Sequence, residues 1–232
     1  DDDERRRTEA LIKPILRGRD IKRYYYEWAG LWVIIIPAGW TNKNKNKENA
    51  ERFIQKSFPS LMQYLKPFEA KARKRDDQGD YWWELRHCAY YLEFEKEKVV
   101  YPNMAMELQA VLDKLNMICN QKAFIITGKN LAYITALFNS KLEFWYFKKI
   151  GATLGSSGYE MSKIFIQNLP LPPITPANQP IVSQIEVLVD KILAAKKENP
   201  QADTSKWERE IDRLVYELYG LTEEEIRIVE GK

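Results

Sequence analysis

Apolar positions along the chain follow two rhythms. Trp32-Val33-Ile34-Ile35-Ile36 is a continuous β-branched run that stops at Pro37, and it predicts a buried strand. Shorter strand patterns occupy Tyr81 to Leu85, Lys98 to Tyr101, Ala123 to Thr127 and Lys163 to Gln167. Between them, helical spacing covers Glu48 to Lys56, Leu61 to Arg75 and Leu131 to Lys148. Strands and helices mix without a regular βαβ beat, so the expected class is α+β, a mixed β/helix lobe.

The rhythm changes after Leu169. Five prolines fall among the twelve residues from Leu169 to Pro180, which predicts an extended connection. Beyond it, Ile181, Ile185, Leu188, Ile192 and Leu193 recur at helical spacing up to Asn199-Pro200. Ser205 with Glu208 has the pattern of a capping box, and Trp207, Ile211, Leu214, Val215 and Leu218 form the face of the helix it opens. Gly220 closes that helix, and Thr222 with Glu225 opens a short last one. Two helices joined by a short loop predict an antiparallel hairpin. The expected division is therefore a lobe over 1–174 and a helical tail over 175–232.

Composition supports a packed core: of 232 residues, 45% are hydrophobic and 12% aromatic. No apolar run approaches the roughly 18 to 20 residues that span a bilayer, and no signal-peptide pattern opens the chain. No membrane partner is therefore expected. Cys88 and Cys119 stand apart without CxxC spacing, which fits a reducing cytoplasm. The chain begins at Asp1 rather than Met, which suggests a piece of a longer polypeptide.

The net charge of +3 is unevenly spread. From Asn178 onward there are 8 Lys+Arg against 12 Asp+Glu, which leaves 28 against 21 in the residues before it. The basic excess belongs to the lobe and suits a polyanionic partner.

Four segments carry candidate contacts. Arg17, Gly18, Arg19, Lys22 and Arg23 gather four cations around one glycine, ahead of Tyr24. An arginine fork matches phosphate and the O6/N7 edge of guanine, and glycine lets a backbone approach closely. The same segment also reads as a solvated turn with ion pairs to Asp20. Lys43, Lys45 and Lys47 alternate with asparagines in what should be a loop, either tracking a phosphate backbone or simply exposed. Arg73, Lys74 and Arg75, with Lys71, crowd a helix end, where the helix dipole also favours cations. In a strand, Trp82 and Trp83 would point to opposite faces, so that one packs the core while Trp82 with Arg86 faces a groove. Both tryptophans packing inside is the plainer alternative.

Catalytic patterns are largely missing. His87 is the only histidine and has no partner cluster for a metal or for a Cys/His dyad. Gly151, Gly155 and Gly158 lie in a loop that lacks the Gly-Lys-Ser/Thr ending of a phosphate-binding loop. Leu171-Pro172-Pro173-Ile174 lacks the Asn or Asp and the aromatic of an amino-methyltransferase motif. Glu69-Ala70-Lys71 has no strand-borne Asp before it to make a nuclease site.

An ordered set of motifs resembles one family. Leu11-Ile12-Lys13-Pro14-Ile15-Leu16-Arg17-Gly18-Arg19-Asp20-Ile21-Lys22-Arg23-Tyr24 is similar to the opening of the TaqI-like C-terminal specificity domain. Trp83-Glu84-Leu85-Arg86 and Lys98-Val99-Val100-Tyr101-Pro102 resemble its middle. Tyr133 to Leu142, with Phe138-Asn139-Ser140, resembles its late helix, and Asn168-Leu169-Pro170-Leu171-Pro172 its closing motif. The set spans Leu11 to Ile174. The helices down to Gly220-Leu221-Thr222 resemble the tail that follows many such domains. The sequence departs from the pattern in the glycine loop, where Tyr159 and Met161 stand in place of a basic residue.

The resemblance implies a specificity-domain-like fold that reads double-stranded DNA in a basic cleft for an adenine-N6 methyltransferase or a fused type IIG restriction enzyme. It makes Arg17, Gly18, Arg19, Lys22, Arg23, Lys43, Lys45, Lys47, Arg73, Lys74, Arg75, Trp82 and Arg86 the expected DNA-binding residues. Catalysis would lie in a methyltransferase or endonuclease domain of the same chain or of a partner subunit. S-adenosylmethionine, and magnesium for a nuclease, would bind there, and no cofactor is expected on these residues. The alternative is a self-standing, type I-like specificity subunit that assembles with a methyltransferase through its C-terminal helices.

Overall fold

The computed structural model describes residues 1–232, except for the side chain of Ser157. It has two compact units, one of residues 1–15 and 30–95, the other of residues 16–29 and 96–232.

In the smaller unit, α1 (Asp2–Leu11) is capped by Asp1, whose carboxylate accepts the Glu4 N–H at 2.6 Å. Strand β1 (Ile12–Leu16) pairs antiparallel with β2 (Trp32–Ile34), with Ile12 opposite Ile34 and Pro14 opposite Trp32. There follow α2 (Trp40–Asn44), α3 (Ala50–Ser57), α4 (Pro59–Leu65), a 3-10 turn at Lys66–Phe68 and α5 (Glu69–Ala72). Leu11, Ile36, Ile54, Phe58, Leu61, Trp82 and Trp83 form the core.

Four expectations fail in this unit. The run from Trp32 is not a buried strand. Only three residues pair, Trp32 is 59% exposed, and the buried member, Ile36, lies past the strand end, where its carbonyl accepts Leu85 N–H at 2.7 Å. The helix expected over Leu61 to Arg75 is broken around Pro67, which has no N–H to continue it. Tyr81 to Leu85 is a turn. The buried Glu84 carboxylate gathers the N–H groups of Gly39, Thr41 and Asp80 at 3.1, 2.9 and 2.8 Å, folding the segment back on itself. Thr41 to Asn44, read as loop, belongs to α2.

The larger unit contains β3 (Lys98–Pro102), β4 (Met104–Ala105), β5 (Val111–Asp113), β6 (Ile118–Cys119), β7 (Ala123–Ile126), α6 (Leu131–Phe138), α7 (Lys141–Ile150), β8 (Ala152–Thr153), β9 (Tyr159–Glu160), α8 (Lys163–Ile166), α9 (Gln179–Glu198), α10 (Ser205–Tyr219) and α11 (Glu223–Glu230). Strand β3 is central, antiparallel to β5 and β7, and buried along its whole length, as a strand covered on both faces must be. The helical pattern over Leu131 to Lys148 divides into α6 and α7. Ser140 caps the second helix by accepting Glu143 N–H at 3.3 Å. Lys163 to Ile166 is a helical turn rather than a strand, a distinction that a short apolar run cannot make.

The C-terminal helices form where the spacing places them. Val182, Ile185, Val189 and Ile192 of α9 meet Ile211, Leu214 and Val215 of α10 and Tyr133, Ala136 and Leu137 of α6 in one cluster. Thr222 and Glu225 make the expected capping box. At α10, by contrast, Thr204 occupies the cap position and its hydroxyl bonds Glu208 at 2.7 Å. The two compact units divide the chain along a different line from the one expected at 174, because the tail's apolar face is filled by α6 of the lobe. The molecule is an α+β protein.

Candidate nucleic-acid interface

The loop after β1 belongs to the larger unit. Arg17 does not project from it. Its guanidinium grips Asp20, with Nη2 to Oδ1 at 2.7 Å and Nε to Oδ2 at 3.0 Å, while Arg17 N–H bonds the same carboxylate at 2.8 Å. Burial pushes the Asp20 carboxyl upward, but these bonds to Arg17 bring it below the ordinary range. Gly18 serves the protein rather than a phosphate: a Cβ there would sit 2.2 Å from the Lys122 carbonyl oxygen. Arg23 donates to Glu208 of α10 at 2.7 and 3.2 Å. Lys22 folds back to the Arg19 carbonyl at 3.0 Å. Arg19 is exposed, and its guanidinium has no bonding partner among the described residues. Of the five loop residues expected to contact DNA, Arg19 is thus the open one and Lys22 a weakly tied second.

In the smaller unit, Lys43 and Lys47 are exposed, whereas Lys45 is half-buried and donates to the Glu48 carbonyl at 3.2 Å. Asn42 joins Asp80 at 2.8 Å and accepts from Tyr81 at 2.7 Å, so this segment is pinned at its start. Arg75 donates to the carbonyls of Trp82 and Glu84 at 2.9 and 2.7 Å, which makes it a brace for the Glu84 turn. Arg73 pairs with Glu69 at 2.8 Å and lies 5.8 Å over the Trp82 ring. Lys74 is exposed.

The tryptophans correct the groove expectation. Trp82 and Trp83 are 6% and 7% exposed, and Trp83 Nε1 donates to Thr41 Oγ1 at 2.9 Å. A turn, unlike a strand, places both rings inward, so Trp82 offers no face to a base. Arg86 remains exposed, with one 3.6 Å approach to Asp77. Tyr64 and Phe68 are exposed aromatics that the sequence reading passed over. Their i,i+4 spacing along a polar stretch was the available signal.

Among the described residues, no group of three or more His, Cys, Asp or Glu is placed to hold a metal ion. No helix among them is long and apolar enough to cross a membrane.

Of the residues expected to meet DNA, Arg19, Lys22, Lys43, Lys47, Lys74 and Arg86 are the ones the fold leaves exposed or only weakly tied. A specificity-domain family model matches residues 13–171. The chain belongs to that family, the TaqI-like C-terminal specificity domain. No curated protein sequence matches it. Among solved structures, the type IIG restriction endonuclease BpuSI is similar, with a TM-score of 0.45 and 16% identity over 90% of this chain and 26% of that one. The chain thus spans about a quarter of that protein's length.

Proposed function

We propose that the chain recognises a specific sequence in double-stranded DNA on behalf of a separate catalytic domain of a restriction-modification enzyme. The observation that carries this reading is membership of the specificity-domain family over residues 13–171. Adenine methylation with its S-adenosylmethionine, and any magnesium-dependent cleavage, are assigned to that other domain. Residues here bind and position.

Arg19, and Arg86 with only a 3.6 Å exposed approach to Asp77, are the candidates for base edges, since a guanidinium free to turn can donate two parallel bonds to guanine. Lys22, Lys43 and Lys47 are candidates for phosphates of the recognised site, which fix register without carrying sequence information, and Lys74 for a phosphate beyond it. Arg17, Gly18, Arg23, Lys45, Arg73, Arg75 and Trp82 contribute by holding the loops in place.

Selection of bound duplexes from a random-sequence pool by the full parent protein tests this. Arg19→Ala or Arg86→Ala should relax preference at one base pair by about 1–3 kcal/mol if that arginine reads a base. Failure of the parent protein to enrich any duplex would overturn the function. Unchanged affinity and preference in both variants would overturn only the residue assignment.

A further inference from the structure

Resting on the duplex-recognition reading, we propose that the α4–α5 face of the smaller unit is a rail for DNA flanking the recognised site. On it, Tyr64 and Phe68 rest against the sugar-phosphate edge while Lys71 and Lys74 meet phosphates.

Tyr64 and Phe68 are 63% and 52% exposed, with ring centroids 6.0 Å apart. Their spacing puts both rings on one side of the α4 end and the 3-10 turn that follows. Phe68 and Lys71 line the same shallow, largely apolar hollow of about 270 Å³, whose floor includes Leu65 and Ala72. Aromatic and cation are therefore neighbours.

The charge of this stretch is one-sided. From Tyr64 to Arg75 there are five cations, Lys66, Lys71, Arg73, Lys74 and Arg75, against the single acid Glu69. Glu69 is held by Lys66 at 2.7 Å and by Arg73 at 2.8 Å, which lowers its pKa, chiefly through the bonds from Lys66 and then Arg73. Arg75 is spent on the carbonyls of Trp82 and Glu84. Among the described residues, Lys71 and Lys74 have no ion-pair partner, and both are exposed.

A protein partner would have to bury those two lysines beside the aromatic pair, and lysine is depleted from the cores of protein interfaces for that reason. Duplex DNA suits both features. Its phosphates take the lysines and the tyrosine hydroxyl, and its sugars take the apolar rings. Contacts of this kind act on any sequence.

The test uses the full parent protein and two duplexes that carry the same selected site, one ending at its edge and one extended on both sides. Wild-type protein should bind the extended duplex several-fold more tightly. Lys71→Gln with Lys74→Gln should reduce the slope of log affinity against log salt by about two on the extended duplex and leave it unchanged on the short one. Tyr64→Ala with Phe68→Ala should weaken the extended duplex alone, with base preference intact. Because these side chains are exposed, urea unfolding midpoints should match wild type. If wild type binds both duplexes equally, or both double variants keep its advantage on the long one, the rail is wrong while duplex recognition stands. If the aromatic variant binds both duplexes as wild type does but frees the smaller unit to proteolysis, the face docks protein instead. No binding of wild type to either duplex would remove the underlying function as well.

Discussion

Arg23 and Glu208, 185 positions apart, are joined by two bonds from one guanidinium, at 2.7 and 3.2 Å. Both side chains are mostly covered, 28% and 22% exposed, and the pair fastens the loop after β1 to α10. A residue that looks like a DNA contact is thereby assigned to the protein's own stability. Arg23→Ala should cost about 1–2 kcal/mol in urea unfolding, a charge-assisted bond discounted for partial exposure. A double-mutant cycle with Glu208→Ala should recover a coupling of about 1 kcal/mol. Duplex affinity should change far less than in Arg19→Ala.

Glu143 lies fully buried on α7 beneath the proline-rich connection. Tyr219 bonds its Oε1, while Oε2 has no partner among the described residues. The Tyr219 hydroxyl also lies 2.9 Å from the Pro170 carbonyl, and Tyr133 donates to the Pro172 carbonyl at 3.0 Å. One hydroxyl has one proton to give. A protonated Glu143 that donates to the Tyr219 oxygen leaves that proton for Pro170. Burial, opposed by the Tyr219 bond, pushes the Glu143 carboxyl up from 4.5 to about 7. A folded pKa raised in this way gives stability that is complete below about pH 4.5 and is lost as pH rises through about 7. The full swing is on the order of 3 kcal/mol. Unfolding measured from pH 5 to 8 should show a decline that Glu143→Gln flattens. An equal decline in both proteins would place the effect elsewhere.

Asn139 mimics a strand partner. Its side chain accepts Ala110 N–H and donates to the Ala110 carbonyl, both at 2.9 Å, inside the core at the end of α6. Asn139→Leu would strand the buried Ala110 N–H at about 1–3 kcal/mol, while the Ala110 carbonyl keeps the Tyr24 N–H at 2.9 Å. Chemical denaturation should report a loss of roughly 1–3 kcal/mol from that group. Asn139→Asp, which keeps the acceptor but loses the donor, should also destabilise, because it buries a charge beside a carbonyl oxygen.

Periodicity made the long elements legible. The α9 and α10 faces, the buried β3 and the Thr222 cap all lie where the spacing puts them, because each depends on residues adjacent in sequence. What was not legible depended on distant partners. The hydrophobic run from Trp32 is a three-residue pairing, since its burial is decided by what covers it. Tyr81 to Leu85 alternates like a strand, yet the Glu84 carboxylate collects N–H groups from around positions 39–41 and turns it. That turn carries Trp82 into the core. The cationic loop was found by composition, and ion pairs to Asp20 were one reading of it; Arg17 takes that nearby acid, whereas the acid that takes Arg23, Glu208, lies on α10. Arg19 was picked for the same reason as those two, and only the fold separates it from them.

Lys98 and Asp113, opposite one another on β3 and β5, form a 2.6 Å ion pair with both side chains fully covered. Asp113 does more than balance the charge. Its oxygens accept Leu115 N–H and Met117 N–H, each at 2.9 Å, and so shape the turn that leaves β5. Removing the cation alone would abandon a carboxylate in a site that water cannot reach. Lys98→Met should therefore cost about 3–5 kcal/mol despite adding apolar surface to the core. Lys98→Met with Asp113→Asn removes both charges and keeps one amide oxygen for the turn. The double variant should be more stable than Lys98→Met alone by about 1–3 kcal/mol, the penalty of the unpaired charge less the lost acceptor. Equilibrium unfolding of the two variants side by side checks the order. If Lys98→Met alone proved the more stable of the two, solvent or another cation must reach Asp113, and the seal around β3 and β5 would not be the one described here.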